Sequence, residues 1–453
     1  MMNGKKTLLL LGLALLGHGP LRAQSPRLDD QLDPARALNA LNMTMVHDVI
    51  APPVAARYYA YCLMGAYNLV AAHDKSIPAL QRFAKDFTPT TRLDTITAKY
   101  DYRIAAYYSI LETARQMLPS GETLAEEEAS FLQSLTKKGV KASVLTQSVR
   151  VGKLASAEML NFSKSDHYAQ LSALKRYTPL TGEGNWYPTP PAYIEAVEPN
   201  WKTIRPVVID SATEFRPAPV VAFSKDTASA FYQQVKAVYD VSKHLAPDQV
   251  VMTQFWDCNP FAVSTSGHMA IGFKKISPGG HWMNIAALVS RQANVGFAKT
   301  IVVLCAEGVT LMDAFICCWE AKYATNVIRP ETYINKYMDV KWQPGLQTPP
   351  FPEYTSGHAV ISNASAEVLT YLLGDGISYT DDTEIPFGSG ERTFTSFRQA
   401  AAEASVSRFY GGIHYMSSIT QGNRQGQRIG SHIVTKIRAA GIMPLANTAS
   451  SSR

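Results

Sequence analysis

The sequence predicts an all-α fold, a helical bundle, and three observations carry that prediction. Apolar residues recur at helical spacing through most of the 453 residues. Val/Ile/Thr alternation bounded by turns hardly appears, so strands should be few. Gly and Pro cluster between the apolar segments, at 278–280, 344–352 and 374–390, where they separate helices. At 46% hydrophobic the chain can bury a large core.

In chain order, residues 1–23 read as a signal peptide. Lys5 and Lys6 give a positive start, Thr7 to Leu16 an apolar core, and Leu21-Arg22-Ala23 a cleavage site before Gln24. That core is too short to span a bilayer. The expected localisation is secreted or periplasmic. Without Lys5, Lys6 and Arg22 the formal charge of +6 falls to +3, and no basic run supports a nucleic-acid partner. No uninterrupted apolar run of membrane-spanning length follows, so no transmembrane segment is expected in the mature chain. Nothing in the sequence speaks to oligomeric state.

Residues 24–176 form an N-terminal helical region. Helical text covers 28–75, starting at Asp33-Pro34, then about 95–117, 126–138 and 144–161. Residues 177–222 change character. Trp186, Pro188, Pro190, Pro191, Trp201, Pro206, Pro217 and Pro219 make a Pro/Trp-rich connector, read as a strap packed across the surface. A C-terminal bundle spans 223–440, with helices at roughly 226–244, 281–293, 296–325, 357–373, 394–409 and 415–438; residues 441–453 read as a flexible tail. The five cysteines, Cys62, Cys258, Cys305, Cys317 and Cys318, form no metal-type spacing. Three of them lie in apolar helical text, and no disulfide framework is expected.

The chemistry concentrates between Lys322 and His414. Lys322 precedes Arg329-Pro330 by seven residues, two helical turns, so both cations are placed on one helix face ending near Arg329. Ser356-Gly357-His358 follows a Pro-rich loop and opens a helix, where free N–H groups and the helix dipole favour an anion. Ser407-Arg408 ends another helix, and the Gly411-Gly412 turn delivers His414. Three permanent cations and several neutral donors suit a tetrahedral oxyanion of two or three negative charges. Two histidines add a nucleophile or metal ligand and a proton shuttle.

The order and spacing of these pieces resemble the superfamily of type 2 phosphatidic acid phosphatases and vanadium-dependent haloperoxidases, in its bacterial haloperoxidase-like branch. The pattern there is Lys, six residues, Arg-Pro; then Pro-Ser-Gly-His; then Ser-Arg, five residues, His, three residues, Asp. The chain departs from it with Thr355 for the Pro and Ser418 for the Asp. The resemblance implies a bundle of the haloperoxidase/acid phosphatase type with its active site between helices. It implies that His414 is the vanadate ligand and that Lys322, Arg329, Ser356, Gly357 and Arg408 bind the oxyanion. Lys322 would also polarise the bound group, and His358 would be the acid/base. Trp319 and Phe351 match aromatic positions on the halide side, and Asp257 a carboxylate that fixes a catalytic side chain. His281, in Pro278-Gly-Gly-His-Trp, resembles a helix-start motif with a structural role. The cofactor implied is vanadate, and phosphate can occupy the same site. The substrates are then hydrogen peroxide and halide. If phosphate esters occupy the site instead, the enzyme is an acid phosphatase working through a phosphohistidine intermediate. A third reading, motivated by the two departures, is an inactive oxyanion-binding protein. Ser418 in particular is expected to leave His414 without a carboxylate partner.

Overall fold

A computed structural model describes residues 32–266 and 269–445. The signal-peptide reading and residues 446–453 of the tail lie outside the described residues. In chain order the helices are α1 (Pro34–His47), α2 (Pro52–His73), α3 (Tyr102–Met117), α4 (Leu124–Lys137), α5 (Ala142–Ser163), α6 (Ala230–Val241), α7 (Pro247–Phe255), α8 (Pro278–Gln292), α9 (Phe297–Thr325), α10 (Pro330–Tyr337), α11 (Gly357–Leu373), α12 (Phe397–Tyr410) and α13 (Met416–Ala440). Two antiparallel hairpins interrupt them, β1 (Val263–Ser266) with β2 (Met269–Gly272) and β3 (Tyr379–Asp381) with β4 (Arg392–Phe394). The all-α expectation holds.

Proline and capping side chains explain where the boundaries differ from expectation. The helical text at 28–75 divides in two because Pro52 opens α2 and Ala51 before it is extended, at φ −58° and ψ 138°. Helix α3 starts at Tyr102 rather than near 95, where Asp101 accepts the Arg103 N–H. The span 226–244 shortens to α6, and Pro247 starts α7. Helix α10 was not expected. Pro330, read only as a stop, occupies its first turn.

The bundle is built around α9, whose side chains from Thr300 to Lys322 are buried without exception. It packs on α2, α8 and α11. A Cβ at Gly308 would lie 3.2 Å from the Ala60 nitrogen, so the glycine sets the approach of α2. A window of α9 is long and apolar enough to cross a membrane, with a mean hydropathy of 2.0, and it is wholly buried among the other helices. Glu307 and Asp313 interrupt the run.

Residues 177–222 hold no α-helix and run across α9. Asp313 accepts the backbone N–H groups of Val207, Val208 and Ile209 at 2.8, 2.7 and 3.0 Å. Trp186 and Trp201 are buried, and the Trp186 backbone N–H donates to the Asn326 carbonyl at 2.8 Å. Helices α11 and α13 pack at backbone distance. A Cβ on Gly426 would stand 2.2 Å from the Val360 carbonyl oxygen, and one on Gly430 2.7 Å from that of Ala364. The tail reading is corrected at its start. Ile442 is buried, and the Leu445 N–H donates to the Leu372 carbonyl at 2.7 Å.

Glu307 is wholly buried in the middle of α9, and burial pushes its carboxyl up to about 8 although the Ser365 hydroxyl donates to it. The folded protein therefore keeps this proton at pH values where the unfolded chain has released it. Its contribution to stability is complete below the ordinary value of 4.5 and is lost as pH rises through about 8. Between about pH 5 and 8 the melting temperature should fall more steeply for wild type than for Glu307→Gln, which has no proton to lose. Parallel melting curves across that range would show Glu307 ionised in the fold.

Candidate active site

Five segments supply the candidate residues. Lys322 lies in the last turn of α9, which ends at Thr325 with Asn326 left-handed at φ 53°. Arg329 is extended, at φ −77° and ψ 153°, immediately before α10. The two cations are thus not on one helix, as their spacing suggested; a turn brings them together. Ser356 caps α11, its Oγ taking the Ala359 N–H. The hydroxyl hydrogen stays free to donate. Gly357 leaves the helix start open, for a Cβ there would meet only Trp319 Cζ3, at 3.9 Å. Arg408 lies near the end of α12. Gly412, at φ 77°, makes the turn that carries the chain to His414, and a side chain there would also press on Trp342.

His358, His414, Arg408 and Gly357 line a small cavity together with Trp319 and Phe351, and Arg329 meets it through His414. All three cations are buried. Arg329 donates from Nε to the Phe351 carbonyl at 3.0 Å and from Nη1 to the Ile413 carbonyl at 2.8 Å and to His414 Nε2 at 3.2 Å. Its Nη2 is buried without a partner. Arg408 spends its Nε on the Ser407 hydroxyl at 3.1 Å. Lys322 behaves otherwise. Its Nζ donates to the carbonyls of Pro352, Glu353 and Thr355 at 3.0, 3.1 and 2.6 Å, so it ties down the loop and offers the cavity charge rather than a free donor. Burial, with Arg329 adding to it, holds the Lys322 ammonium below the usual range.

Both histidines are neutral in this setting. Burial pushes His414 well below its ordinary value, helped by Arg329, Lys322 and Arg408. Burial does the same to His358, again with Arg408 contributing. His414 Nδ1 donates to Glu353 Oε1 at 2.8 Å, which fixes the tautomer with a lone pair on Nε2, facing Arg329. His358 is held by the Trp256 backbone, and its Nε2 is buried and unpartnered.

Glu353 corrects the reading of Ser418. The carboxylate absent from α13 comes instead from the loop before α11, and Glu353 also accepts the Tyr415 N–H at 3.0 Å. Sequence reasoning missed it because the pairing spans 61 residues and a lone Glu in a Pro-rich loop reads as solvated. Asn259, whose buried Nδ2 has no partner on the cavity wall, was missed too. Its only signal is its place just after Trp256-Asp257-Cys258. Asp257 does not grip a catalytic side chain. It pairs with Lys275 at 2.5 Å and reaches Arg408 only through space. Trp319 and Phe351 pack against each other on the cavity wall with centroids 4.9 Å apart and ring planes inclined by 52°, and Lys322 Nζ lies 5.0 Å from the Phe351 ring centroid. Of the tripeptide Ser266-Gly267-His268, Ser266 ends β1, and residues 267 and 268 lie outside the described residues.

A buried, partnerless guanidinium nitrogen, an open helix start and a lone pair on His414 Nε2 together fit a tetrahedral oxyanion. Ser418→Asp should then bring no gain in oxyanion affinity, since the Nδ1 position is filled. Glu353→Gln should weaken it by about 10- to 100-fold, the usual loss when a ligand histidine's partner is changed. Isothermal titration with inorganic phosphate reads both, and equal affinities in wild type and Glu353→Gln would leave His414 oriented by something else.

Residues 302–440 match the family model for the VCPO second helical-bundle domain. A bacterial vanadium-dependent iodoperoxidase of known structure is 39% identical, with a TM-score of 0.83 over 90% of this chain and 96% of that one. A holo-type and an apo-type bacterial vanadium-dependent chloroperoxidase are each 14% identical, with TM-scores of 0.64 and 0.61 over 87% of this chain and 93% and 96% of theirs; this likeness is of fold. Comparison with curated protein sequences finds no match. With the first of these structures matched along nearly its whole length, the chain belongs to the vanadium-dependent haloperoxidase family and is an enzyme of that family.

Proposed function

We propose that the chain is an exported haloperoxidase that holds vanadate on His414 Nε2 and oxidises halide with hydrogen peroxide. The observation that carries this is the His414 ring itself. Glu353 holds the proton on Nδ1, so Nε2 presents its lone pair beside a partnerless guanidinium nitrogen of Arg329. Bound there, vanadate supplies a Lewis-acidic centre at which hydrogen peroxide is activated for two-electron oxidation of halide. The protein's own part is electrostatic and positional. Arg329 and Arg408 neutralise oxygens, Ser356 and the Gly357 N–H donate to them, and Lys322 adds charge through its fixed position over the Phe351 ring. His358, neutral and with Nε2 free, takes a proton from peroxide as it binds and returns it to the departing oxygen. Trp319 and Phe351 offer an apolar wall to a large, weakly hydrated anion. Iodide is the halide we assign, in line with the iodoperoxidase that is 39% identical.

Hydrolysis of a phosphate ester would ask His358 to arrive protonated, and burial beside Arg408 disfavours that in the anion-free site. Phosphate itself still fits the cage. Vanadate affinity should fall as free phosphate rises above its own dissociation constant, and iodide oxidation should fall with it and return on dialysis into vanadate. Arg408→Ala and Arg329→Ala should each weaken vanadate binding on the order of 100-fold, the loss of a charged contact at about 3 kcal/mol, and His414→Ala should abolish the bond to vanadium. His358→Ala should bind nearly as well and turn over about 100- to 10,000-fold more slowly. A vanadate titration at several phosphate concentrations, with iodide oxidation followed in parallel, reads all of these. Vanadate binding indifferent to phosphate, or no halide oxidation at saturating vanadate, would refute the reading.

A further inference from the structure

Beside the oxyanion cage lies a second cluster that this chemistry does not use. His281, in the first turn of α8, is fully buried and stacked on Trp256 with centroids 4.5 Å apart. Its Nδ1 lies 3.4 Å from Cys258 Sγ and 2.9 Å from Glu384 Oε1, and Cys258 Sγ lies 3.5 Å from the same Glu384 oxygen. The three atoms form a closed triangle of one sulfur, one nitrogen and one oxygen. Its members come from the end of the α7 segment, from α8 and from the turn between β3 and β4. On the opposite side of the ring, His281 Nε2 bonds Asp381 Oδ2 at 2.7 Å.

We propose that Cys258, His281 and Glu384 form a binding site for a divalent transition-metal ion of zinc type, with Asp381 orienting the histidine from behind. The dimensions support it. Tetrahedral bonds of about 2.3 Å to sulfur and 2.0–2.2 Å to nitrogen and oxygen put ligand atoms about 3.3–3.6 Å apart. Two edges of the triangle already match, and the His281–Glu384 edge needs to open by only a few tenths of an ångström. A thiolate, an imidazole and a carboxylate form the mixed donor set that suits zinc among the divalent ions. A carboxylate bound to the far ring nitrogen of a ligand histidine is the usual outer partner of such a site. Charge balances as well. The ion takes the place of two protons, one from the thiol and one from Nδ1, and both leave to solvent, so the net charge of the buried cluster is unchanged. Cys258 lines the same cavity as His358, Arg408 and His414, which is the side from which an ion would enter.

The inference is independent of vanadate, and so is its test. The full-length protein, in buffer free of vanadate and phosphate, is loaded with zinc or cobalt(II). One ion per chain is expected by mass spectrometry, with a single sulfur at about 2.3 Å in the zinc X-ray absorption shell. The cobalt form should show a near-ultraviolet thiolate charge-transfer band. Cys258→Ser, which keeps the side-chain volume and a hydrogen-bonding atom, should lose the band and the sulfur shell. Asp381→Asn should weaken zinc by about 10- to 100-fold. Wild type with no sulfur in the zinc shell would overturn the proposal and leave the cluster an ion-paired imidazolium. A band that survives Cys258→Ser would overturn it equally, by placing the metal elsewhere.

Discussion

Burying three like charges in one place is the constraint from which the rest of the structure follows. Each ion removed from water costs several kcal/mol even after the protein relaxes, and Lys322, Arg329 and Arg408 repel one another besides. The offset is made largely of backbone. Carbonyls of Phe351, Pro352, Glu353, Thr355 and Ile413 take the Lys322 and Arg329 protons. The Glu353 carboxylate binds His414 and acts on Lys322 and Arg329 through space. The compensation is incomplete, so the cations add to the burial that drives both histidines to the neutral form, and an anion of high charge is the natural occupant. The loop 351–356 is therefore less a connector than a mould, shaped by the cations around it and in turn fixing α11.

Much of this was legible in the sequence. The three motif pieces carry their own geometry: a helix-opening Ser-Gly-His, a Gly-Gly turn before His414, a Pro after Arg329. Each is local, and local rules place it. What escaped is what depends on segments far apart in the chain. Glu353 reaches His414 across 61 residues and replaces a carboxylate that the motif seats four residues beyond His414. Cys258, His281 and Glu384 carry no recognisable ligand spacing, since 23 and 103 residues separate His281 from the other two. Asp257 was assigned by position in a motif, yet Lys275 competes for its carboxylate, and no local pattern reveals such a competitor.

Helix boundaries show the same division. At Pro52, Pro247 and Pro330 the ring does not merely end helical text but begins a new helix, because its fixed φ and missing N–H suit the first turn. Helix α9 shows the converse. Its composition is that of a membrane span, and only the ring of helices around it assigns it to a protein core.

The glycine contacts between α11 and α13 bear on how sharply the centre is defined. Where Gly426 and Gly430 meet Val360 and Ala364, the two helices touch through main chain, with no intervening side chain able to change rotamer. Most helix pairs are separated by a layer of side chains whose small adjustments are passed on to the backbone. Here that source of play is absent. His358 opens one of these helices and His414 leads into the other, so the spacing between acid/base and ligand is dimensioned like a machined joint, by surfaces that have one seating.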